Sequence, residues 1–172
     1  MVAVTSSGTA VVTLPADTQI KIVREFNAPK RLVYKAYTTP ELIRRWWNAK
    51  RGEVTVAEVD LRVGGRWRYV MVTPDGFDVG FHGEFREIVP NQRIVATEIF
   101  EGMPGMEMPP EQGDDSAAVN TLTLTEKAGR TTLTILSDYP SREIRDIVIE
   151  SGMEAGMQDA MDLLEEVAIS LA

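Results

Sequence analysis

The sequence offers few residues for nucleophilic or acid–base chemistry. Cysteine is absent, and histidine occurs once, at His82. A Ser-His-Asp triad or a catalytic zinc site would therefore rest on a single imidazole, and thiolate chemistry is excluded. The other candidate for a general acid or base is Glu98, a carboxyl within a mainly apolar segment. Since spacing pairs neither group with a second titrating residue, we predict no catalytic set, no metal site and no cofactor.

Which of these two groups faces the interior depends on strand register. If the turn pairs Ile88 with Arg93, Glu98 lies opposite Gly83 on the apolar face of the sheet. The same register pairs Phe85 with Ala96 and Phe81 with Phe100. A buried carboxyl there needs a hydrogen-bonding partner, a ligand or a raised pKa. A slip of one residue instead places His82 inside and Glu98 in solvent, and the sequence leaves both registers open.

Large apolar side chains surround Glu98 in this pattern. They alternate along the predicted strands and recur at helical spacing near the C-terminus. Ligand pockets are mostly apolar concavities with a few polar groups, and methionine repacks easily around different shapes. We therefore predict that an inward-facing set contacts a small ligand: Trp67, Tyr69, Met71, Phe77, Phe81, Phe85, Glu98, Phe100, Met153, Met157 and Met161. The same pattern also fits an ordinary core, and that interpretation stays open.

The elements that must position these residues follow from hydrophobic period and turn signals. A strand is predicted over 19–27, and two short helices begin at Pro29 and at Pro40. The period then changes to two for a series of strands, with a change of phase near residues 57–58 that predicts a β-bulge. Residues 102–115 combine proline, glycine and methionine without a period, so we predict a surface loop.

From Ser141 onward the apolar period is helical. We predict Ser141 as the N-cap of one continuous helix of about 40 Å that runs through Gly152 and Gly156. The order of elements predicts an α+β fold in which a curved antiparallel sheet of six to seven strands wraps around this long C-terminal helix. Residues 1–18 are expected to form an N-terminal arm or an extra edge strand, and residues 19–172 the main domain.

Several motifs, in order along the chain, resemble those of a known superfamily. They are Arg24-Glu25-Phe26-Asn27-Ala28-Pro29, Thr38-Thr39-Pro40-Glu41-Leu42, Arg45-Trp46-Trp47, Asp60-Leu61-Arg62-Val63-Gly64-Gly65-Arg66-Trp67 and Phe81-His82-Gly83-Glu84-Phe85. The sequence is similar to the START-like (SRPBCC) superfamily and, within it, to homologues of the activator of heat-shock protein ninety ATPase. The resemblance implies a helix-grip domain over 19–172, with a hydrophobic cavity between the sheet and the long helix. Its relatives include ligand carriers, aromatase/cyclases and co-chaperone domains.

Charge is distributed unevenly along the chain. The formal net charge is −8, yet residues 28–51 carry seven basic residues and one acid, while residues 141–172 carry eight acids and two arginines. Basic residues interleaved with aromatics can bind nucleic acid. The helical spacing favours two amphipathic helices instead, so nucleic acid is not the expected partner. The basic helical face over 28–51 remains a candidate surface for a protein partner.

Composition also bears on location and function. No run of about eighteen apolar residues occurs, so no membrane association is predicted. The absence of cysteine suits a cytoplasmic protein. We favour binding of a small hydrophobic or aromatic ligand for sensing, sequestration or transport. A cyclase or hydrolase-type enzyme using the same cavity and a protein-interaction or co-chaperone-like domain are the alternatives.

Overall fold

The computed structural model describes residues 2–3, 9–102 and 116–172. The strands are β1 Val2–Ala3, β2 Val11–Leu14, β3 Gln19–Phe26, β4 Glu53–Val59, β5 Arg66–Val72, β6 Asp78–Val89, β7 Arg93–Phe100, β8 Ala118–Lys127 and β9 Arg130–Asp138. The helices are α1 Lys30–Thr38, α2 Pro40–Trp46, α3 Arg142–Glu150 and α4 Met153–Ser170. The loop predicted over 102–115 lies outside the described residues from 103 onward.

The strands form one antiparallel sheet in the order β1-β2-β3-β9-β8-β7-β6-β5-β4. The sheet curves around α4, and both α1 and α2 pack against that helix. Its inner face and the helices share an apolar core that includes Phe26, Val33, Leu133 and Leu164. This arrangement confirms the predicted α+β fold.

The sheet has more strands in the described residues than the six to seven predicted. The additional strands are β1 and β2, which pair with each other, while β2 also pairs with β3 through Val11 and Val23. The N-terminal segment thus contributes backbone hydrogen bonds to one side of the sheet. The division of the chain into an arm over 1–18 and a domain over 19–172 stays a prediction.

The predicted helix starts agree with the structure. Pro40 occupies the first turn of α2, directly after Thr39, which adopts an extended conformation. Ser141 precedes α3, and its hydroxyl accepts a hydrogen bond from the Ile144 amide at 3.2 Å. Amides of the first helical turn have no partner within the helix. Pro40 has no amide proton, and the Ser141 hydroxyl provides a partner for the Ile144 amide.

The predicted bulge is displaced along β4. The register shift lies between Val54 and Val56 rather than at residues 57–58. The apolar alternation beyond Val59 does not continue the strand, because Gly64 adopts φ +83° and its neighbours form a turn. Val63 is consequently 62% exposed. The bulge itself accounts for the change of phase, because it places Val54, Ala57 and Val59 opposite Met71, Tyr69 and Trp67 on one face of the sheet.

The prediction of one continuous C-terminal helix is wrong. α3 ends at Glu150, and Gly152 adopts the left-handed φ of +81° before α4 begins at Met153. A left-handed residue changes the direction and phase of the helix, and glycine adopts it without steric strain. The helical apolar period would place Ile147 or Val148 on one stripe with the methionines of α4; in the structure Ile147 is 51% exposed.

Polar contacts attach the N-terminal segment to α4. The Gln158 side-chain amide is buried and contacts both main-chain groups of Ala10: Nε2 donates to the carbonyl at 2.8 Å, and Oε1 accepts from the amide at 3.1 Å. Close by, the buried Arg24 donates to Thr9 Oγ1 at 2.8 Å and to Asp162 Oδ1 at 2.7 Å. These bonds fix the segment before β2 across α4.

Within the described ranges, no helix is long and apolar enough to cross a membrane.

Candidate functional site

The inner face of the sheet carries most of the predicted ligand-binding residues. Strand alternation and register place the following side chains on the side that faces α4: Trp67, Tyr69, Met71, Phe81, Phe85, Glu98 and Phe100. The observed pairings Phe85–Ala96 and Phe81–Phe100 are those predicted. The turn itself differs from the prediction, because Arg93 pairs with Val89 instead of Ile88. A bulge between Phe85 and Glu87 then shifts the strands back, so that the predicted pairs form.

Phe77 does not belong to this set. It precedes β6 in a turn, where its amide donates to Thr73 Oγ1 at 3.1 Å. Its side chain is 46% exposed. The prediction that it faces inward is wrong because β6 begins one residue later, at Asp78, and the alternation does not extend into the turn.

A carboxyl and an amide form the polar centre of the inner face. Asn120 Nδ2 donates a hydrogen bond to Glu98 Oε2 at 3.1 Å. Burial raises the pKa of Glu98, and the bond from Asn120 offsets part of that rise. Asn120 Oδ1 is buried and has no hydrogen-bond partner. The pair therefore retains an acceptor that is not satisfied within the protein.

Three tyrosines lie within electrostatic range of Glu98. Burial raises the pKa values of Tyr37, Tyr69 and Tyr139, and the Glu98 charge raises each further. They come from α1, β5 and the segment after β9. All three phenols therefore stay protonated around neutral pH, where they can donate or accept hydrogen bonds but do not act as bases.

An aromatic wall borders this polar centre. Trp47, directly after α2, meets Tyr69 and Phe81 edge-on, with ring centroids 5.6 and 5.9 Å apart. Phe81 lies 5.0 Å from Phe100, and Trp67 lies 4.8 Å from Tyr69. Such separations are typical of favourable aromatic pairs. The wall joins α2 to three strands of the sheet.

Gly83 allows Trp67 to occupy its place in this wall. The indole Nε1 donates to the Thr97 carbonyl at 3.1 Å, so the ring reaches from β5 across β6 to β7. A Cβ at Gly83 would overlap the Thr97 carbonyl oxygen and would lie 2.6 Å from Trp67 Nε1. The indole therefore occupies the space beside this glycine.

The predicted methionines of α4 differ in their surroundings. Met161 is buried in the main core, whereas Met157 is partly buried and contacts both core clusters. Met153 packs, partly buried, on the smaller cluster with Ile20 and Ile22. The three side chains thus run along α4 from the N-terminal strands to the main core, as the helical spacing predicts.

His82 lies on the outer face of the sheet. Its Nδ1 is 2.9 Å from Glu101 Oε2, and Arg68 makes two further bonds of 2.9 Å to the same carboxylate. The bond from Arg68 is the main reason that the pKa of Glu101 is lowered. Of the two registers that the sequence left open, the structure has the one with Glu98 inside.

Two open grooves also occur on the outer face. One, of about 360 Å³, is lined by Arg66, Arg68, His82 and Glu101, among others. The other, of about 400 Å³, is lined by Val119, Thr121, Leu136 and Tyr139 with its neighbours. In the parts of the chain that the structure describes, no cluster of three or more His, Asp or Glu side chains is placed to hold a metal ion.

The sheet wrapped around a C-terminal helix, with an aromatic inner face, defines a START-like helix-grip protein. The chain belongs to the family described as activator of Hsp90 ATPase homolog 1-like protein, whose sequence profile matches residues 27–168. This membership confirms the resemblance seen in the sequence. No protein of curated function matches the chain.

Solved structures of bacterial proteins share the fold over nearly the whole chain. A crystal structure from Rhodobacter sphaeroides has 25% sequence identity and a TM-score of 0.79, covering 92% of this chain and 97% of its own. Protein Ms6760 from Mycobacterium smegmatis has 25% identity and a TM-score of 0.78, covering 94% and 98%. A solution structure from Arthrobacter aurescens has 25% identity and a TM-score of 0.78, covering 92% and 91%.

Proposed function

We propose that this protein binds a small, mainly apolar or aromatic molecule between the inner face of the sheet and α4, for sensing, sequestration or transport. The observation that carries the proposal is the unpartnered Asn120 Oδ1 beside Glu98 in an otherwise apolar interior. Buried polar atoms normally have a hydrogen-bond partner, and a bound molecule with a donor group would supply the one that Asn120 Oδ1 lacks. The absence of cysteine suits action in the reducing cytoplasm.

The accessible surface of Glu98, a residue on the inner face of the sheet, supports the presence of a space inside the protein. The residue is only half-buried by its accessible surface, yet its carboxyl is desolvated enough to raise its pKa. Tyr37 and Tyr69 combine the same two properties. Side chains that line a narrow enclosed space have accessible surface and little bulk solvent, which accounts for both observations.

The rings around this space support an aromatic or flat apolar ligand. Trp47, Tyr69, Phe81 and Phe100 offer edges and faces from two directions. Met157, which is flexible and only partly buried, borders them from α4. Apolar walls with one polar end are the usual composition of a small-molecule site.

Two other places are weaker candidates for a ligand site: the buried Arg24 Nη1, which also lacks a hydrogen-bond partner, and the grooves on the outer face. Arg24 Nη1 lies 3.4 Å from Glu165 Oε2 and so already has an ionic partner. In the outer groove beside His82, the Glu101 carboxylate is bonded to Arg68 and His82. Within the described residues, the inner face therefore combines apolar walls with an unmet hydrogen-bonding group.

The proposal is tested with a neutral aromatic probe, 2-naphthol, and protein labelled with ¹³C at the methionine methyls. We expect the probe to shift the signals of Met153, Met157 and Met161. A Phe81→Trp variant should fill part of the space and weaken binding by at least about tenfold, because the ligand and the larger ring would need the same volume and overpacking costs about 1–3 kcal/mol. The matched Phe77→Trp variant alters an exposed ring and should bind as the wild type does.

A native mass spectrum of freshly purified protein provides an independent measurement. We expect part of the protein to carry a molecule of small mass. If the spectrum shows only the bare chain and 2-naphthol shifts no α4 methionine, the proposed function is contradicted. Equal binding by the Phe81→Trp and Phe77→Trp variants would contradict the proposed location.

A further inference from the structure

We propose that the Glu98–Asn120 pair selects ligands that carry an uncharged hydroxyl group and rejects carboxylates. This inference rests on the proposed function, because it assigns the chemistry of the polar end of the same site. It predicts a phenol or alcohol, with the hydroxyl on the pair and the apolar body against the aromatic wall.

The hydrogen-bond geometry requires a donor from the ligand. One N–H of Asn120 Nδ2 donates to Glu98 Oε2 at 3.1 Å, whereas Oδ1 is an acceptor without a partner. A hydrocarbon would leave this acceptor unsatisfied, and an ether could only add another acceptor. A hydroxyl supplies the missing proton.

The charges around the pair argue for a neutral ligand. The titratable groups whose pKa values Glu98 influences are phenols: Tyr37 from α1, Tyr69 from β5 and Tyr139 after β9. No cation contributes to the pKa of Glu98, which burial raises. The two buried arginines in the described part of the chain are engaged by other groups: Arg24 by Asp162 and Glu165, and Arg145 by Asp146 and the Ala16 carbonyl.

A ligand carboxylate at this place would therefore lack a compensating charge. Burying an unpaired anion is strongly unfavourable, and ionised Glu98 would add like-charge repulsion. Glu98 in its protonated form can donate a proton of its own and complements a hydroxyl oxygen. A hydroxyl, which both donates and accepts, thus matches the pair.

Three ligands of similar shape test the inference on the wild-type protein. 2-Naphthol carries the hydroxyl, 2-methoxynaphthalene has no donor, and 2-naphthoate is an anion at pH 7. We expect 2-naphthol to bind about five- to tenfold more tightly than the ether, the effect of one hydrogen bond. The carboxylate should bind more weakly still, by at least about tenfold relative to 2-naphthol.

An Asn120→Leu variant tests the residue itself. It should reduce the preference for 2-naphthol over the ether to about twofold or less, while Thr121→Val, on the outer face of the same strand, should retain the preference. Equal affinities for the naphthol and the ether in the wild type, or tighter binding of the carboxylate, would overturn the inference and leave the proposed function standing. Absence of binding by all three compounds would contradict both.

Discussion

The contact between Gly83, Trp67 and Thr97 leads to a quantitative prediction. In Gly83→Ala the new methyl overlaps the Thr97 carbonyl oxygen and lies 2.6 Å from the indole nitrogen, so β6 and β7 must separate or the indole must move. Overpacking of this kind costs about 1–3 kcal/mol. Loss of the buried Trp67–Thr97 hydrogen bond adds about 1 kcal/mol. We expect the unfolding free energy to fall by about 2–4 kcal/mol in total.

Urea unfolding followed by circular dichroism measures this change. Gly156→Ala is the matched control, because the nearest atom that its methyl meets is Arg51 Nε at 3.9 Å. Displacement of the indole should also weaken binding of 2-naphthol by Gly83→Ala. Gly156→Ala leaves the indole in place and should bind 2-naphthol as the wild type does. If Gly83→Ala lies within about 0.5 kcal/mol of the wild type, the close approach of these strands is incorrect.

Three further predictions concern α4 and the polar pair. The raised pKa of Glu98 means that the native state binds its proton more tightly than the unfolded state, so this contribution to stability is present at low pH and is lost as pH rises through the native pKa. Urea unfolding across a pH series should show Glu98→Gln gaining stability relative to wild type as pH rises, and a pH-independent difference would contradict the burial. Gly156→Ala should itself raise the unfolding free energy by up to about 1 kcal/mol through helix propensity, as measured by thermal unfolding, and destabilisation would indicate a tighter environment than the structure has. Gln158→Leu removes both bonds to Ala10 and should lower stability by about 1–3 kcal/mol, with faster hydrogen exchange at the Ala10 amide; unchanged exchange there would contradict the attachment.

Local patterns in the sequence were sufficient to predict most strands and the inward orientation of the sheet residues. The alternation of Trp67, Tyr69 and Met71 with Arg66 and Arg68 needed no knowledge of distant contacts, because side chains along a strand point to opposite faces. This alternation predicts a strand from Arg66 to Val72, and β5 has these bounds. For such residues, the face of the sheet to which the side chain points follows from the neighbouring residues in the sequence.

The register around Glu98 needed information that the sequence pattern lacks. The predicted pairing of Phe85 with Ala96 is present, but a bulge at β6 and a shifted turn compensate for one another. Neither the bulge nor the shifted turn can be recognised from the alternation of hydrophobic residues. The orientation of Glu98 could therefore be proposed but not decided against that of His82.

Several residues of the site escaped prediction because their partners are distant along the chain. Asn120 looks like an ordinary polar strand residue until β8 is placed next to β7 and its amide meets Glu98. Tyr37 and Trp47 fit the apolar faces of short helices, and only the packing of those helices brings them to the site. The sequence held one indication of Asn120: it is a polar residue at a position of β8 whose alternation places it on the inner face.

The basic and acidic segments also have an intramolecular relationship. Arg51 pairs with Asp159 of α4 at 2.7 Å, and Arg44 donates to the Val54 carbonyl at 3.0 Å. The uneven charge that suggested an external partner is thus partly explained by α1 and α2 packing against α4. The role of this face toward a protein partner stays a prediction.

The attachment of the N-terminal segment has an evolutionary consequence. Gln158 recognises the peptide group at position 10 and makes no demand on side-chain chemistry there, except that the buried Ala10 must remain small. Two neighbours are constrained by their side chains, since the Thr9 hydroxyl accepts from Arg24 and Val12 is buried, whereas the exposed Val11 is free to vary. Gln158 thus holds position 10 through its peptide group, and sequence variation in this segment is expected mainly at positions whose side chains face solvent.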